Sequence, residues 1–570
     1  CIHNGSHRAR SGSMINLELP LGKRTKPYRF FEIIPALISY SMLLLLVVLS
    51  IFNPLWAAIY LLLLIITMFI KSIGIAYHTI RGHGRLVGAQ RVDWHERLMQ
   101  LESPQKSYEM VANVTSSGFA YEEHKENLRL ISAAQAGEYP KPSELFQAVI
   151  IAAYNEAYDV IQPTIESVKN TTYNSKQIIL YIAYEERGGQ EIEATVKRLQ
   201  QEYEGVFYTF QIVKHPKDLP DEVVGKGPNI TYAAYQLQQW CDKQNIPYRN
   251  VVVTTLDSDN RPYPTYFDYV AYEYIVQPDR KHLSYQPVAL YFGNIWDAPA
   301  PMRVIATGNS FWTIISSMRP HTLRNFAAHS QPLDALSEMD FWSKRSIVED
   351  GHQYWRSYFY FNGNYSVLPI HVPIYQDAVM ADTYKKTLNT QFKQLRRWGY
   401  GVSDVPYVAT RLFTHKRNVP FFEGLARFMR LVDSHITLAT ISILIAVGGW
   451  IPLIVNPEAS RNIAAHTLPI VVSYIQQVAL IGIFITILLM LKMLPKRPER
   501  YKRHRTALMV AQWVLMPVTS ICYNAAASLN AQTHLMLGKY LDKFDVTDKA
   551  TVASRDQARA DKQRTKKKNA

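Results

Sequence analysis

Val251-Val252-Val253-Thr254-Thr255-Leu256-Asp257-Ser258-Asp259 is the stretch whose reading decides the fold of this chain. Its first residues are β-branched and apolar, the composition of a buried strand. Two carboxylates one residue apart end it, and Asn260, Arg261 and Pro262 stop the strand. Carboxylates at the C-terminal end of a buried parallel strand lie where α/β sheets bind ligands. Two hard oxygen donors there suit Mg2+ or Mn2+, held partly by protein and partly by a substrate phosphate. An isolated Asp-x-Asp is more often a solvated turn, so the surrounding chain has to carry the assignment.

Upstream, short apolar runs alternate with helical stretches, the signature of a parallel α/β sheet. Phe146 to Ala152 reads as the first strand, Gln177 to Ala183 as the second, Phe207 to Val213 as the third and Val251 to Leu256 as the fourth. Helices are expected over 190–204 and 229–243, and residues 92–144 are polar and helix-prone. Such an open sheet is a nucleotide-binding architecture. The loop after the first strand has neither G-x-G-x-x-G nor G-x-x-x-x-G-K-[ST], which argues against a dinucleotide enzyme and a P-loop ATPase.

Farther out, the chain changes character. Phe31 to Phe52 is apolar, about the 20 residues a membrane-spanning helix needs, and Leu55 to Ile75 is a second such run after Asn53-Pro54. Lys23, Arg24, Lys26 and Arg29 precede the pair, and Lys71, Arg81, Arg85 and Arg91 lie at or beyond the end of its second run. Basic residues on both outer flanks place both in the cytoplasm, so the following domain is expected to be cytosolic. Apolar runs return at 433–455 and 467–494, and a weaker one at 507–530 is interrupted by Pro517. The 570-residue chain has a formal net charge of +15, much of it beside these runs. Its three cysteines, Cys1, Cys241 and Cys522, offer neither a disulfide framework nor metal-ligand spacing. Residues 1–13 carry no readable pattern and are assigned no function.

Five more clusters accompany the Asp-Ser-Asp: Tyr154-Asn155-Glu156 after the first strand, Glu185-Glu186-Arg187-Gly188 after the second, Lys226-Gly227-Pro228-Asn229, Glu349-Asp350, and Gln394-Leu395-Arg396-Arg397-Trp398. In order and spacing this resembles the family-2 glycosyltransferases, and within them the membrane-embedded, processive branch of cellulose, chitin and hyaluronan synthases. The resemblance spans roughly residues 145–405. Farther on, Phe544, Val546, Thr547 and Lys549 resemble the F-x-V-T-x-K gating loop of cellulose synthases. The chain departs from the family at Glu185-Glu186-Arg187, where Asp-Asp-Gly is usual, and at Val348, where Thr is usual.

The resemblance implies a GT-A-type, Rossmann-like α/β domain inserted between transmembrane helices. It implies that Asp257 contacts the nucleotide sugar, Asp259 binds Mg2+ or Mn2+, and Asp350 is the base that deprotonates the acceptor. Tyr154, Glu156 and Glu185 would cradle the nucleoside, Lys226 the phosphate, and Gln394 and Arg397 the diphosphate. Trp398 and Glu349 would serve the acceptor. The chemistry agrees with these types: a departing diphosphate wants a divalent cation, and Arg offers a planar fork to phosphate oxygens. Lys385 to Tyr400 reads as a basic amphipathic helix on the membrane surface.

The chain then divides into a cytosolic segment 1–30, a transmembrane hairpin 31–77, a polar helical linker 78–144, the transferase domain 145–405, a C-terminal membrane region 406–538 and a basic cytosolic tail 539–570. A gating loop must reach a cytosolic site, so four full spans and a re-entrant or interfacial element broken at Pro517 are expected. The expected reaction is processive synthesis and export of a β-glycan from a nucleotide-diphosphate sugar, by family habit a UDP-sugar, at the plasma (inner) membrane. One alternative is single addition to a lipid or polyprenyl acceptor. Another is a membrane scaffold that binds nucleotide sugar without turnover. The basic tail has no aromatic residues interleaved with its terminal charges, so no nucleic-acid partner is expected.

Overall fold

A computed structural model describes residues 16–135 and 137–542. Phe544, Val546, Thr547 and Lys549 fall outside the described residues. The domain at the centre is built on eight strands: β1 Phe146–Ala153, β2 Ile178–Glu185, β3 Thr209–His215, β4 Val251–Asp257, β5 Arg261–Pro262, β6 Leu283–Leu290, β7 Ser330–Pro332 and β8 Ser366–Tyr375. They lie in the order β3-β2-β1-β4-β7-β6-β8-β5. An α/β domain inserted between two sets of apolar helices is thus present, as the sequence leads one to expect.

Only half of the sheet is the purely parallel one expected. β3, β2, β1 and β4 run parallel, and their residues are buried on both faces except along β3. That explains their near-continuous apolar composition. Beyond β4 the sheet turns mixed: β7 is antiparallel to β4 and β6, and β5 to β8, while β6 and β8 pair in parallel. The third strand begins at Thr209 rather than Phe207 and runs on to His215. It continues because its pairing continues, with Lys214 opposite Tyr184 and His215 opposite Glu185. Phe207 instead drops into the core beneath the sheet with Tyr203, Leu199 and Val196.

Helix α1, Lys26–Phe52, starts with Pro27 in its first turn and a Thr25 hydroxyl that accepts from the Tyr28 N–H. Helix α2, Pro54–Gln90, is capped by Asn53, whose side chain accepts from Leu55. It does not stop where its apolar run ends but continues to Gln90, and its second half packs on the sheet domain. A β-carbon on its Gly82 would press on Ile314 of the helix Ala300–Ser317. The apolar region after the domain holds the helices Phe421–Val447 and Ile463–Met493. Gly448, Gly449 and Trp450 separate the first from the short helix Ile451–Val455. Residues 504–536 are helical throughout, but the turn type changes around Pro517: a 3-10 turn at Gln512–Leu515 and a π-turn at Ser520–Ala525 interrupt the α-helix. Among the described residues five helices are long and apolar enough to cross a membrane: Lys26–Phe52, Pro54–Gln90, Phe421–Val447, His466–Met493 and His504–Met536.

Candidate active site

Two buried ionic clusters lie at the C-terminal edge of the parallel strands. The first surrounds Lys226, at the start of the helix Lys226–Gln244. Its Nζ is 2.7 Å from Asp257 Oδ1 at the end of β4 and 3.8 Å from Glu349 Oε1. The Lys226 and Glu349 side chains are 9% and 5% exposed, so this is a desolvated ion pair and not a solvated turn. Gly227 makes the approach possible, because a β-carbon there would collide with the Ser343 carbonyl and press on Glu349 Cβ. Asn229, three residues on, donates to the Ala183 carbonyl at 2.9 Å and so ties this helix to the end of β2.

Glu349 and Asp350 open the helix Glu349–Tyr360, where the free N–H groups and helix dipole favour carboxylates. The Asp350 Oδ1 accepts from the Gly351 N–H at 2.7 Å. Behind them His352 Nδ1 meets Asp404 Oδ1 at 2.6 Å, which anchors the helix to the segment after the Trp398 helix. Both carboxyls are held above the ordinary carboxylate range. For Glu349 the causes are burial and then the charge of Asp350, opposed by Lys226; for Asp350 they are burial, opposed by Lys226, with Asp257 adding repulsion and Arg397 attraction.

Tyr291, just after β6, closes the cluster. The fields of Asp257, Asp350, Asp259 and Arg397 all reach its phenol, so the four groups share one neighbourhood. Its ring lies 5.9 Å from that of Trp398, centroid to centroid. Nothing in the sequence singles out Tyr291. Arg397 and Trp398 come from the helix Tyr384–Gly399, whose Thr383 hydroxyl caps it by accepting from Lys386. The apolar stripe of that helix is covered by protein: Leu388, Phe392, Leu395 and Trp398 cluster with Met509, Trp513 and Ala527. The backbone approaches closely enough that a β-carbon at Gly399 would lie 3.3 Å from Ser528 Cα. Gln394 Oε1 accepts from Gln391 Nε2 at 3.0 Å.

The second cluster sits at the ends of β2 and β3. His215 Nδ1 lies 3.1 Å from Glu185 Oε1, and its Nε2 lies 3.1 Å from Glu222 Oε2. Arg187 Nη1 is 3.1 Å from the other Glu185 oxygen, and Nη2 is 3.2 Å from Asp218. Burial alone would lower the imidazole pKa, but hydrogen bonds to Glu185 and Glu222 outweigh it and raise it to about 9. The imidazole is therefore charged at neutral pH. His215 and Glu222 were missed by sequence reasoning. The strand register that sets His215 opposite Glu185 could have found the first, had the third strand been carried two residues farther. Glu156 folds back on its own turn, where Oε2 accepts from the Tyr154 N–H at 2.7 Å. The turn after β2 lies directly against this one, since a β-carbon at Gly188 would collide with the Tyr154 carbonyl.

Asp259 Oδ2 accepts from the Asp377 N–H at 3.3 Å. Among the described residues no three or more His, Cys, Asp or Glu side chains converge as a metal cage. The donor set fits a hard divalent cation held in the manner usual for Mg2+: one or two carboxylates, with water and substrate phosphate supplying the rest. Asp259, with Asp257 beside it, would hold it.

No family model matches the chain, and no curated protein matches it. Among solved structures it is similar to the mannosyltransferase PcManGT from Pyrobaculum calidifontis in complex with GDP-Man and Mn2+, at 14% identity and a TM-score of 0.37, over 79% of this chain and 98% of that one. It is similar to S. aureus TarS 1-349 in complex with UDP-GlcNAc at 10% identity and a TM-score of 0.32, over 70% of this chain and 93% of that one. A third is glucosyl-3-phosphoglycerate synthase from Mycobacterium tuberculosis in complex with Mn2+, UDP and phosphoglyceric acid, at 12% identity and a TM-score of 0.28, over 49% and 80% of the two chains.

Proposed function

We propose that this protein is a membrane-bound, inverting glycosyltransferase that moves a sugar from a nucleotide-diphosphate sugar onto a growing glycan. The observation that carries the reading is the buried cluster of Lys226, Asp257, Glu349 and Asp350, with Asp259, Arg397, Tyr291 and Trp398 around it. In the reaction an acceptor hydroxyl attacks the anomeric carbon, the bond from that carbon to the diphosphate oxygen breaks, and Asp350 takes the hydroxyl proton. A carboxyl held above the ordinary range is a better proton acceptor than a free one, and such a base is typically worth ~10²–10⁴ in rate. Lys226 and Arg397 bring positive charge to where the diphosphate departs. A divalent cation, when bound, would neutralise the charge developing on that leaving group. Trp398 and Tyr291 offer aromatic faces to the apolar C–H face of the acceptor sugar.

Contacts at the ends of the last apolar helix support four spans with both flanks on the catalytic side, the cytosolic side by the charge of its basic flanks. At its start Arg500 pairs with Asp297 at 2.7 Å, and Arg505 donates to the Trp296 carbonyl at 2.9 Å, both in the sheet domain. At its end Arg29, in the first turn of α1, donates to the carbonyls of Leu535 and Met536, and the Leu541 N–H donates to the Tyr400 hydroxyl. Halfway along, Ser442 of the helix Phe421–Val447 donates to the Ser520 carbonyl. A segment tied to one domain at both ends reads as a re-entrant arch at the plasma membrane, and it returns residue 542 towards the site.

The test is turnover by the full-length protein in nanodiscs, across UDP- and GDP-sugars with Mg2+ or Mn2+, read as released nucleoside diphosphate. One donor is expected to turn over, Asp350→Asn to abolish it, and the product to size as a polymer. Turnover unchanged in Asp350→Asn, or none with any donor, overturns the reading; a single-addition product overturns the polymerase part of it.

A further inference from the structure

A group of cations unrelated to the site lies at the level where the apolar helices meet the sheet domain. The segment between the helix Ala300–Ser317 and β7 carries Arg319, His321 and Arg324. The Arg319 guanidinium rests on α2 at Gly74, where a β-carbon would be 3.4 Å from Nη2, and Arg319 and His321 lie beside His78. Arg324 stacks on Trp355, 4.9 Å from the ring centroid, and Trp355 packs on Tyr354 at 5.0 Å. The Tyr354 hydroxyl takes a hydrogen bond from Arg427 of the helix Phe421–Val447, one turn before Arg430. Just past these residues Lys71 of α2 and Asp433 pair at 3.2 Å, which fixes the two helices side by side.

The charges do not balance. Arg427 pairs with Glu423 at 2.7 Å. Among the described residues no carboxylate lies within ion-pair distance of Arg319, Arg324 or Arg430. Asp404, whose field reaches Arg324, is already bound to His352. Burial lowers the Arg324 pKa, and the neighbouring Arg427 and Arg430 lower it further. A half-buried guanidinium such as Arg324, beside Arg427 and Arg430 and with no carboxylate in pairing range, is a standing cost unless an anion joins it. Large apolar side chains flank the patch: Trp312, 52% exposed and edge-on to Phe326 at 4.7 Å, and Met429, 56% exposed. A patch that is cationic and apolar at once, beside helices long enough to span, matches the headgroup region of a bilayer and not bulk water.

We propose that Arg319, Arg324 and Arg430, between α2 and the helix Phe421–Val447, form a binding site for the phosphate of an anionic phospholipid headgroup. Guanidinium forks suit phosphate oxygens, and Trp312 and Met429 would lie along the upper acyl chains. The inference rests on the helices lying in a bilayer and is independent of the transferase reading. Free inorganic phosphate shares the chemistry, and the experiment separates the two sources.

The full-length protein is presented by native mass spectrometry with phosphatidylglycerol and phosphatidylcholine of matched chains. Retention of phosphatidylglycerol over phosphatidylcholine is expected. Arg430→Gln, an exposed position, should weaken that preference about fivefold, and Arg324→Gln/Arg430→Gln by about fivefold again, the worth of one basic residue at an anionic surface. Lys496→Gln/Lys502→Gln removes the same charge elsewhere and should leave it intact. Arg324→Lys/Arg430→Lys keeps the charge and should retain part of it, which guards against loss by misfolding. An unchanged preference in the Gln variants, or an equal loss in the Lys496/Lys502 variant, overturns the site. Binding of inorganic phosphate to wild type but not to Arg430→Gln, with no lipid preference, assigns a free anion and overturns the headgroup. Loss of lipid preference with turnover intact supports the site and leaves the transferase reading standing.

Discussion

The two buried clusters at the sheet edge both set a cation among carboxylates, and they differ in what they do to those carboxylates. At the ends of β2 and β3 one imidazole sits between Glu185 and Glu222, with both ring nitrogens at 3.1 Å and Arg187 against the remaining Glu185 oxygen. There the proton belongs to the cation, and His215 is held charged. At the end of β4 one ammonium faces Asp257, Glu349 and Asp350. Burial and mutual repulsion there raise the Glu349 and Asp350 carboxyls, while the pull of Asp257 and Glu349 outweighs burial and holds the ammonium charged. A cluster with its charges matched in pairs fixes geometry. A cluster whose buried carboxyls are raised is poised to exchange a proton, and perturbed carboxyls of this kind gather where chemistry is done.

The largest expected break in that contrast is Asp350→Asn. On the proposed reading it removes the base and no donor contact, so it should lower turnover by ~10²–10⁴ while leaving nucleoside diphosphate affinity within about threefold. Equal losses in turnover and affinity would return Asp350 to a structural role. Next is Lys226→Met, which strands Asp257 and Glu349 without their buried partner. It should destabilise the protein by about 3–5 kcal/mol, seen as a lower unfolding temperature in detergent, with partial recovery in Lys226→Met/Glu349→Gln. An additive double variant would show that the two groups are not coupled. Smaller again is Glu349→Gln. It removes a carboxyl that burial and the charge of Asp350 hold up to about 7, so a limb of the pH–rate profile near neutral pH should disappear. A limb that stays in place would mean that another group titrates there.

How much of this was legible follows from what each kind of residue has to satisfy. The strands β1, β2 and β4 were readable because both of their faces are buried, which forces continuous apolar runs. β5 and β7, of two and three residues, are too short to leave a pattern, so the mixed half of the sheet was not. Lys226 was visible as a motif but not as an ion pair. Its burial depends on Gly227 passing Ser343, a contact more than a hundred residues away in sequence. The stripe of Leu388, Phe392, Leu395 and Trp398 was found by its period. A period says that a face is covered and not by what, and here the cover is Met509, Trp513 and Ala527. Tyr291 and Glu222 carry no pattern at all; tertiary packing brings them in. His215 was lost to a strand end placed two residues short, the least certain feature of any such reading.

The smallest effect in prospect is on the matched cluster, and it sharpens the comparison through pH. The His215 pKa is about 9 in the folded chain, against about 6.5 when unfolded. A raised pKa means that the folded state binds the proton more tightly. The stability this contributes is therefore complete below about pH 6.5 and disappears as pH rises through 9. At most it amounts to about 3 kcal/mol, since each tenfold gain in proton affinity is worth about 1.4 kcal/mol and part of it offsets the burial of the two carboxylates. The unfolding temperature should accordingly fall between pH 7 and pH 10 in wild type, and the fall should be shallower in His215→Gln. Glutamine can still donate to one carboxylate but cannot lose a proton, so fold and slope are separated. If Glu185 is also the nucleoside contact, the same variant should raise the donor KM several-fold at neutral pH with kcat nearly unchanged, and wild type should approach the variant's KM above pH 9. A parallel loss of kcat would instead join the two clusters into one, because it would mean that the matched pair at β2 and β3 takes part in the proton transfer assigned to Asp350.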